Sequence, residues 1–175
     1  MITETMPTTS EVAYTITDSP LGYLLIAATG KGICCVRFGE SQKKLEAELK
    51  EEFQAAEFVP NDKNFQKWTQ ALVDYLAGEK PWPLLPYDVQ ATAFQKLVWE
   101  WLRQVPPGET YSYSEAAKAI GSPKAARAVA RACATNPVAL VIPCHRIVPK
   151  SGGLGGYYWG PERKQKLLTL EKNHS

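Results

Sequence analysis

The sequence predicts an α+β fold in two domains, residues 1–90 and 91–175. Three observations support it: short β-like runs before residue 40, apolar residues at helical spacing after it, and a proline-rich stretch at 81–86. A chain of 175 residues with 45% hydrophobic content is long enough to bury a core. We therefore expect a folded protein with a small sheet and helices first and a mostly helical second half.

The first domain begins with β structure. Residues 12–17, 21–28 and 33–38 are strand-like runs separated by turn residues, which predicts a three-stranded meander. Helices are expected at 43–53 and 64–77, where apolar residues recur at helical spacing and Gly78 ends the second helix. Residues 81–86 contain three prolines and cannot be helical, so we expect a connector there and a domain boundary near residue 90.

The second domain opens with a strong helix signal. Thr92 and Gln95 have the spacing of a capping box, and a Pro-Pro-Gly sequence at 106–108 ends the helix. One apolar stripe is expected to face the core of this domain. It comprises Phe94, Leu97, Val98, Trp101, Leu102 and Val105.

A short helix at 112–120, Gly121 and a further helix reaching Asn136-Pro137 follow the pattern of a helix-turn-helix. We expect Ser122 to cap the second helix, with Pro123 at its first position. Two short helices around a glycine are also common in α domains that bind no nucleic acid. The pattern alone leaves both interpretations open.

Positive charge accompanies this segment. Residues 1–91 hold 8 Lys or Arg against 13 Asp or Glu, whereas residues 92–175 hold 12 against 5. Lys124, Arg127 and Arg131 stand at i, i+3 and i+7, on one face of the predicted second helix. An evenly solvated basic surface would explain the charge too, but together with the helix-turn-helix pattern it favours a polyanionic partner, above all nucleic acid.

Cys144 lies between Pro143 and His145-Arg146, after an apolar run at 138–142 that predicts a buried strand. A working thiol needs a base or a positive field nearby, and both following residues are candidates. Neighbours in an extended segment point to opposite sides, so His145 would need a bridging water or a turn to act on Cys144.

The other cysteines, Cys34, Cys35 and Cys133, are most simply explained as small packing residues. Four cysteines without CxxC spacing and only two histidines do not supply a zinc site, so no metal is expected. No basic region followed by an apolar stretch opens the chain, and no apolar run approaches the ~18 residues of a membrane span. We expect a cytoplasmic protein with reduced thiols and no membrane partner.

Several motifs, in this order, resemble those of the O6-alkylguanine-DNA alkyltransferases. They are Ser112-Tyr113, the stretch 123–129, Asn136-Pro137, Pro143-Cys144-His145-Arg146 and Gly155-Gly156-Tyr157. The resemblance is dense from Thr92 to Glu171 and looser before it. It implies a ribonuclease-H-like N-terminal domain with a small antiparallel sheet, and a C-terminal domain with a winged-helix-like helix-turn-helix.

The resemblance also implies the chemistry at the thiol. Cys144 would accept the alkyl group, His145 would take the thiol proton through water, and Glu171 would orient His145. Asn136 would join the recognition helix to the active-site segment, although an ordinary helix C-cap is its simpler interpretation. No cofactor is implied, and the stable thioether would limit each protein molecule to one turnover.

The DNA contacts follow from the same resemblance. Arg127 would fill the space left by a flipped nucleotide, although by itself it would pass for a phosphate contact like Lys124 and Arg131. Tyr113 would push the target phosphate and bond the guanine, where a buried aromatic is the plainer explanation. Backbone groups of Cys144 and Ile147 would read the guanine edge, and residues 152–158 would form a flexible lip that places Tyr157 and Tyr158 beside the base.

The expected partner is double-stranded DNA containing O6-alkylguanine, with O4-alkylthymine as a further substrate, bound by a monomer. Two other functions remain open at this point. The chain could be a non-catalytic sensor of alkyl damage that binds DNA, or the C-terminal fragment of an adaptive-response regulator.

Overall fold

The computed structural model describes residues 11–174 and contains, in those residues, four strands and six α-helices. The chain divides into two compact units. The first comprises residues up to Ala91 together with 137–141, and the second comprises 92–136 and the residues from Ile142 onward. Residues 137–141 follow the helix-turn-helix in sequence but belong to the first unit.

The first unit is built on one sheet with strand order β3-β2-β1-β4. Strands β1 (Glu11–Ser19), β2 (Gly22–Ala28) and β3 (Ile33–Gly39) form the predicted antiparallel meander. The short β4 (Glu57–Phe58) pairs parallel to β1, so the sheet is mixed and not purely antiparallel as predicted. Two residues carry too little alternation for a strand signal, which explains why β4 was missed.

Helices α1 (Gln42–Glu52) and α2 (Lys63–Leu76) lie within one residue of their predicted bounds. Each is capped by a side-chain oxygen, Ser41 accepting from the Lys44 amide and Asp62 from the Phe65 amide. The sheet and α1 bury a common core. Its buried members are Val12, Leu25, Ala27, Cys34, Cys35, Leu45, Leu49 and Phe53.

The outer edge of β3 is covered by two segments that are distant in sequence. The Ile33 amide donates to the carbonyl of Pro86 at 2.9 Å, and the Val36 amide donates to the carbonyl of Pro137 at 3.0 Å. The indole of Trp82 donates to the carbonyl of Leu140 at 2.8 Å. The predicted connector is therefore non-helical as expected, but it also protects a sheet edge that would otherwise be unpaired.

Residues 138–142 do not form the predicted strand. Only isolated bridges occur there, and Leu140 has φ 73°, the left-handed region that a non-glycine residue seldom adopts. All five side chains are buried. A buried apolar run was correctly identified, but burial alone could not distinguish an irregular crossover from a strand.

In the second unit, α3 (Ala93–Leu102) has the predicted capping box, with both the Thr92 and Gln95 bonds present. Its buried residues are Gln95, Val98, Trp99 and Leu102, at i, i+3, i+4 and i+7. The predicted stripe was therefore only partly right. Leu97 is exposed and Trp99 is buried, because α3 carries apolar residues on more than one face and its periodicity is ambiguous.

Helices α4 (Tyr113–Ala119) and α5 (Ala126–Ala134) form the helix-turn-helix. The prediction for the start of α5 was wrong: its N-cap position is Ala125, and Ser122 does not cap it. Instead, the Ala125 amide donates to the Ser122 carbonyl at 2.9 Å, closing a turn in which Pro123 occupies its favoured second position. Lys124 thus lies in this turn, before the helix that carries Arg127 and Arg131.

Helix α6 (Pro161–Asn173) had no counterpart in the sequence-based prediction. It starts after Gly160, with proline at its first position, a common arrangement at helix N-termini. Three of its residues are buried, Lys164, Leu167 and Glu171, at i, i+3 and i+7. Two of these three carry charge, which hides the buried face from a search for apolar periodicity.

Replacement of Gly32 by alanine should destabilise the first unit. A Cβ there would lie 2.8 Å from backbone atoms of Pro86 and Tyr87, which cannot move aside without breaking the pairing with β3. We expect Gly32→Ala to lower the free energy of unfolding by about 1–3 kcal/mol, as overpacking in a core does. Urea denaturation followed by tryptophan fluorescence measures it.

Gly30→Ala is the matched control, because a Cβ at Gly30 meets nothing within 4 Å. Its effect should stay within about 0.5 kcal/mol of wild type. Equal effects of the two substitutions would show that the close packing of residues 86–87 against β3 contributes little to the free energy of unfolding.

Candidate functional site

Cys144 begins a short 3₁₀ helix, Cys144–Arg146, directly after Pro143. The Cys144 amide donates to the Ile142 carbonyl at 2.8 Å, and the Ile147 amide donates back to the Cys144 carbonyl at 3.3 Å. The chain turns here, so the alternation of an extended segment does not apply. The turn that His145 needed in order to approach Cys144 is present.

The Cys144 side chain is 7% exposed, and its sulfur is held by Asn136. The Asn136 amide group donates to Sγ at 3.4 Å and to the Ile142 carbonyl at 2.9 Å, which ties the end of the helix-turn-helix to the segment before the thiol. Asn136 is therefore more than a helix cap. It joins the end of α5 to Ile142 and Cys144.

Burial raises the pKa of the Cys144 thiol well above its ordinary value, and a hydrogen bond with the Cys133 thiol raises it further. The Asn136 hydrogen bond and the positive charge of Lys164 act in the opposite direction. Burial dominates, so the resting thiol is protonated. A nucleophilic reaction at this sulfur requires that the proton be removed.

His145, Arg146 and Glu171 form a buried charge network beside the thiol. Nε2 of His145 lies 3.0 Å from a Glu171 oxygen, close enough for charge attraction although the ring nitrogen makes no aligned hydrogen bond there. Arg146 binds both oxygens of Glu171, at 3.0 and 2.6 Å, and also donates to the carbonyl of Val105 at 2.7 Å. Glu171 thus positions two consecutive residues that follow Cys144.

The protonation states of this network follow from burial and charge. Burial lowers the pKa of His145 despite the opposing attraction of Glu171, so the ring is neutral near pH 7. Burial alone would raise the pKa of Glu171, but His145 and Arg146 outweigh it and hold that pKa well below its usual range. The site therefore contains a neutral imidazole next to a fixed carboxylate.

Lys164 is a residue of the candidate site that the sequence interpretation missed. It is buried on α6, and its ammonium donates to the carbonyls of Ile147 at 2.6 Å and Gly156 at 3.1 Å. Burial lowers its pKa, whereas the thiols of Cys133 and Cys144 raise it. Its spacing to Glu171, seven residues along one helix face, is the sequence signal that could have indicated it.

The glycine-rich segment 152–158 includes three glycines with φ between 70° and 96°. A Cβ at Gly155 would lie 2.7 Å from the ring of Pro149, so this position excludes a larger residue. The ring of Tyr157 meets His145 edge to face at 6.4 Å, and burial raises the pKa of its hydroxyl. Tyr158 is 75% exposed and stacks edge to face on Trp159.

The predicted DNA-contacting residues lie on α4, on α5 and in the turn between them. Tyr113 is the first residue of α4 and half-buried, and burial together with the nearby thiols Cys133 and Cys144 raises the pKa of its hydroxyl. Lys124, Arg127 and Arg131 are exposed. The structure thus presents the three cations to solvent on the helix-turn-helix.

Within residues 11–174, no group of three or more His, Cys, Asp and Glu side chains is arranged to hold a metal ion. In the same part of the chain, none of the helices combines the length and apolarity needed to cross a membrane.

Two family models match this chain. Residues 12–84 match the ribonuclease-like domain of 6-O-methylguanine DNA methyltransferase, and residues 93–173 match the DNA-binding domain of the same family. Both halves of the chain are therefore assigned to the same kind of protein, and the α+β fold agrees with that assignment.

Several named proteins are similar. The bifunctional transcriptional activator/DNA repair enzyme Ada of Escherichia coli is 46% identical over 91% of this chain, which spans only 45% of the length of that relative. A crystal structure of Mycobacterium tuberculosis OGT in complex with DNA superposes with a TM-score of 0.76 at 36% identity, covering 94% of each chain.

The methylated-DNA–protein-cysteine methyltransferase of Methanosarcina acetivorans is 40% identical over 90% of this chain and 97% of its own length. Because a relative of this identity is matched over nearly its full length, the chain belongs to the 6-O-methylguanine DNA methyltransferase family.

Proposed function

We propose that the protein repairs DNA by moving an alkyl group from O6-alkylguanine, and from O4-alkylthymine, directly to Cys144. The observation that carries the proposal is the buried thiol next to a neutral imidazole that a carboxylate holds. The names of the Methanosarcina acetivorans and Mycobacterium tuberculosis relatives support the reaction class.

The reaction is an in-line displacement. The Cys144 sulfur forms a bond to the alkyl carbon, the carbon–O6 bond breaks, and guanine leaves with the bonding electrons. The thiol proton passes to His145. Because Glu171 attracts the N–H at Nε2, the lone pair of the neutral ring is on Nδ1, which we propose receives the proton through water. Glu171 then stabilises the imidazolium.

The product explains why one turnover is expected. A thioether lacks the acyl carbonyl that makes a thioester easy to hydrolyse, so Cys144 is not regenerated. The protein acts as reagent and catalyst together.

The target atom lies inside a duplex, so the nucleotide has to leave the stack before Cys144 can reach it. We propose that Arg127 fills the vacated space, that Tyr113 pushes the target phosphate and bonds the guanine, and that Lys124 and Arg131 bind phosphates. The exposure of the three cations on the helix-turn-helix and the net positive charge of residues 92–175 support their roles, and the position of Tyr113 near the Cys144 thiol supports its own.

The guanine edge would meet backbone groups of Cys144 and Ile147, with Tyr157 and Tyr158 beside the base. The Ile147 carbonyl already accepts from Lys164 at 2.6 Å. A carbonyl oxygen has two lone pairs, so it can accept a second bond from the guanine amino group. Lys164 thus fixes the direction of that carbonyl before DNA arrives.

We also propose two domains, 1–90 and 91–175, in a monomer that works in the cytoplasm. The family models match either side of this boundary, the site is built from one chain, and all four cysteines are free, as in a reducing compartment.

A second candidate is a repair module of a longer regulator, which the 46% identity to Ada over 45% of that protein favours. A non-catalytic sensor is less favoured, because it would have no need of the Cys144 thiol.

The acceptor can be tested by intact mass. Mixed with a duplex carrying O6-methylguanine, the protein should gain one methyl group, about 14 Da, at a 1:1 ratio because the thioether is not turned over. Cys144→Ala should gain nothing yet still bind the duplex, and Cys133→Ala should be methylated at Cys144 like wild type. Methyl on another residue, or turnover beyond one equivalent, would contradict the proposal.

The role of Arg127 can be separated from general affinity. Arg127→Ala should slow repair of duplex O6-methylguanine by about tenfold or more, the equivalent of about 1.4 kcal/mol. It should slow repair of the same base in a single strand by less than about twofold, because a single strand needs no nucleotide to be displaced.

Arg131→Ala is the control, since loss of a phosphate contact should weaken single-strand and duplex repair alike. Single-turnover rates on the two substrates measure the ratio. If the ratio of duplex to single-strand repair rates is the same for Arg127→Ala and Arg131→Ala, Arg127 does not fill the space left by the nucleotide.

His145 should make stability depend on pH. Because its pKa is lowered in the folded protein, the unfolded chain binds the proton first, and stability falls as the pH drops below the ordinary value of about 6.5. Between pH 7 and 5.5, His145→Gln should lose this slope, which has an upper limit of about 1.4 kcal/mol per pH unit. Urea titrations at each pH measure it.

His174→Gln is the control at the exposed histidine and should keep the wild-type slope. The carboxylate of Glu171 acts at lower pH: its lowered pKa gives stability that is lost only below the ordinary value of about 4.3. If the unfolding free energy of His145→Gln changes with pH as steeply as that of wild type, the pKa of His145 is the same in the folded and unfolded states.

A further inference from the structure

A second thiol lies against the proposed acceptor. Cys133 is in the last turn of α5 and only partly buried, and its side chain is hydrogen-bonded to that of Cys144. Asn136 links the same two residues independently. Its amide N–H donates to the Cys133 carbonyl at 3.3 Å, and its side chain donates to the Cys144 sulfur at 3.4 Å.

The two thiols share one positive field. The charge of Lys164 interacts with both Cys133 and Cys144, and it is fixed in place by the carbonyls of Ile147 and Gly156. The thiolate is the form that attacks peroxides and disulfides, and the charge of Lys164 opposes the rise in the pKa of Cys144 that burial causes. No step of the proposed repair reaction uses Cys133.

We propose that Cys133 and Cys144 form a reversible disulfide, which stores the acceptor sulfur during oxidative stress. The inference rests on the proposed function only in naming Cys144 as the acceptor. Cys133, the more exposed of the two, reacts first with the oxidant. Its position one residue before the end of α5 allows the side chain to turn toward Cys144 without disturbing the helix interior.

The oxidant is a peroxide. The Cys133 thiolate attacks one peroxide oxygen, the O–O bond breaks, and Cys133 becomes a sulfenic acid while hydroxide leaves and is protonated to water. The Cys144 thiol then attacks the Cys133 sulfur, the S–S bond forms, and the sulfenic oxygen leaves as a second water. Two thiols have lost two electrons and two protons, and a dithiol reductant reverses the change.

The benefit follows from the single use of the acceptor. A lone Cys144 oxidised beyond sulfenic acid becomes sulfinic or sulfonic acid, which a thiol reductant does not restore. A neighbouring thiol intercepts the reversible stage. Oxidised protein would then be inactive until a reductant opens the disulfide, whereas a variant without Cys133 would lose its methyl-transfer activity permanently.

The test uses the full chain, reduced, freed of reductant and treated with hydrogen peroxide before the remaining thiols are blocked with N-ethylmaleimide. Before blocking, wild type should have lost about 2 Da, the two hydrogens of a disulfide. After unfolding in guanidinium, two of its four cysteines, the buried Cys34 and Cys35, should take up the reagent. Non-reducing peptide maps should contain a Cys133–Cys144 cross-link. Dithiothreitol should restore methyl transfer.

Cys133→Ala should instead gain about 32 or 48 Da at Cys144, as sulfinic or sulfonic acid, and recover at most about a tenth of its transfer with dithiothreitol. Cys34→Ala, which removes a buried thiol of the sheet, is the matched control and should form the cross-link like wild type. Absence of the Cys133–Cys144 cross-link in wild type, or equal recovery of Cys133→Ala, would overturn the inference. The mass and peptide-map readouts need no DNA, so failure of the proposed repair function would leave those two readouts unaffected.

Discussion

The second unit is organised around one buried carboxylate. Glu171 receives both Arg146 bonds and the approach of His145, so one side chain of α6 sets the positions of two residues next to the thiol. Removing one partner from a buried ion pair commonly costs about 3–5 kcal/mol, because the remaining charge has no water to compensate it. Arg146 also binds the carbonyl of Val105, just beyond α3, and this extends the constraint to the first helix of the unit.

The same arrangement sets the protonation state of the imidazole. Burial outweighs the attraction of Glu171 on the pKa of His145, and the positive charge of Arg146 lowers that pKa further. The ring stays neutral and able to accept a proton. Once it has accepted one, the carboxylate is already 3.0 Å away, and no side chain needs to move. A structural ion pair and a proton acceptor therefore share one carboxylate.

Sequence patterns predicted the elements whose signal is local. The meander, α1 to α4 and the Thr92 capping box follow from periodicity and capping residues within a few positions of each other. Three features escaped such reasoning for physical reasons. β4 is too short to show alternation, the buried face of α6 is partly charged, and the chain at 138–142 is buried like a strand but has a left-handed residue at Leu140.

In the candidate site, too, the residues with a local sequence signal were predicted and those placed by tertiary packing were not. Cys144 and His145 stand out by adjacency, and the proposed DNA-binding cations Lys124, Arg127 and Arg131 by spacing and charge. The roles of Asn136, Glu171 and Tyr113 were identified only through resemblance to a family. Lys164 was missed because a lysine usually indicates a solvated surface, and only tertiary packing shows that its ammonium lies among carbonyls. The start of α5 was misplaced because Ser-Pro is typical of both a helix N-terminus and a turn.

Burial of the thiol places two requirements in opposition. A high pKa keeps Cys144 protonated and slows its reaction with electrophiles in solution. The same burial makes deprotonation costly, so the reaction needs a base that is itself uncharged, since a buried imidazolium could accept nothing. Lowering the pKa of His145 and raising that of Cys144 are thus two results of one cause, exclusion of water. In the proposed mechanism the proton moves when a substrate carbon is present to capture the thiolate, and until then the protonated thiol reacts slowly.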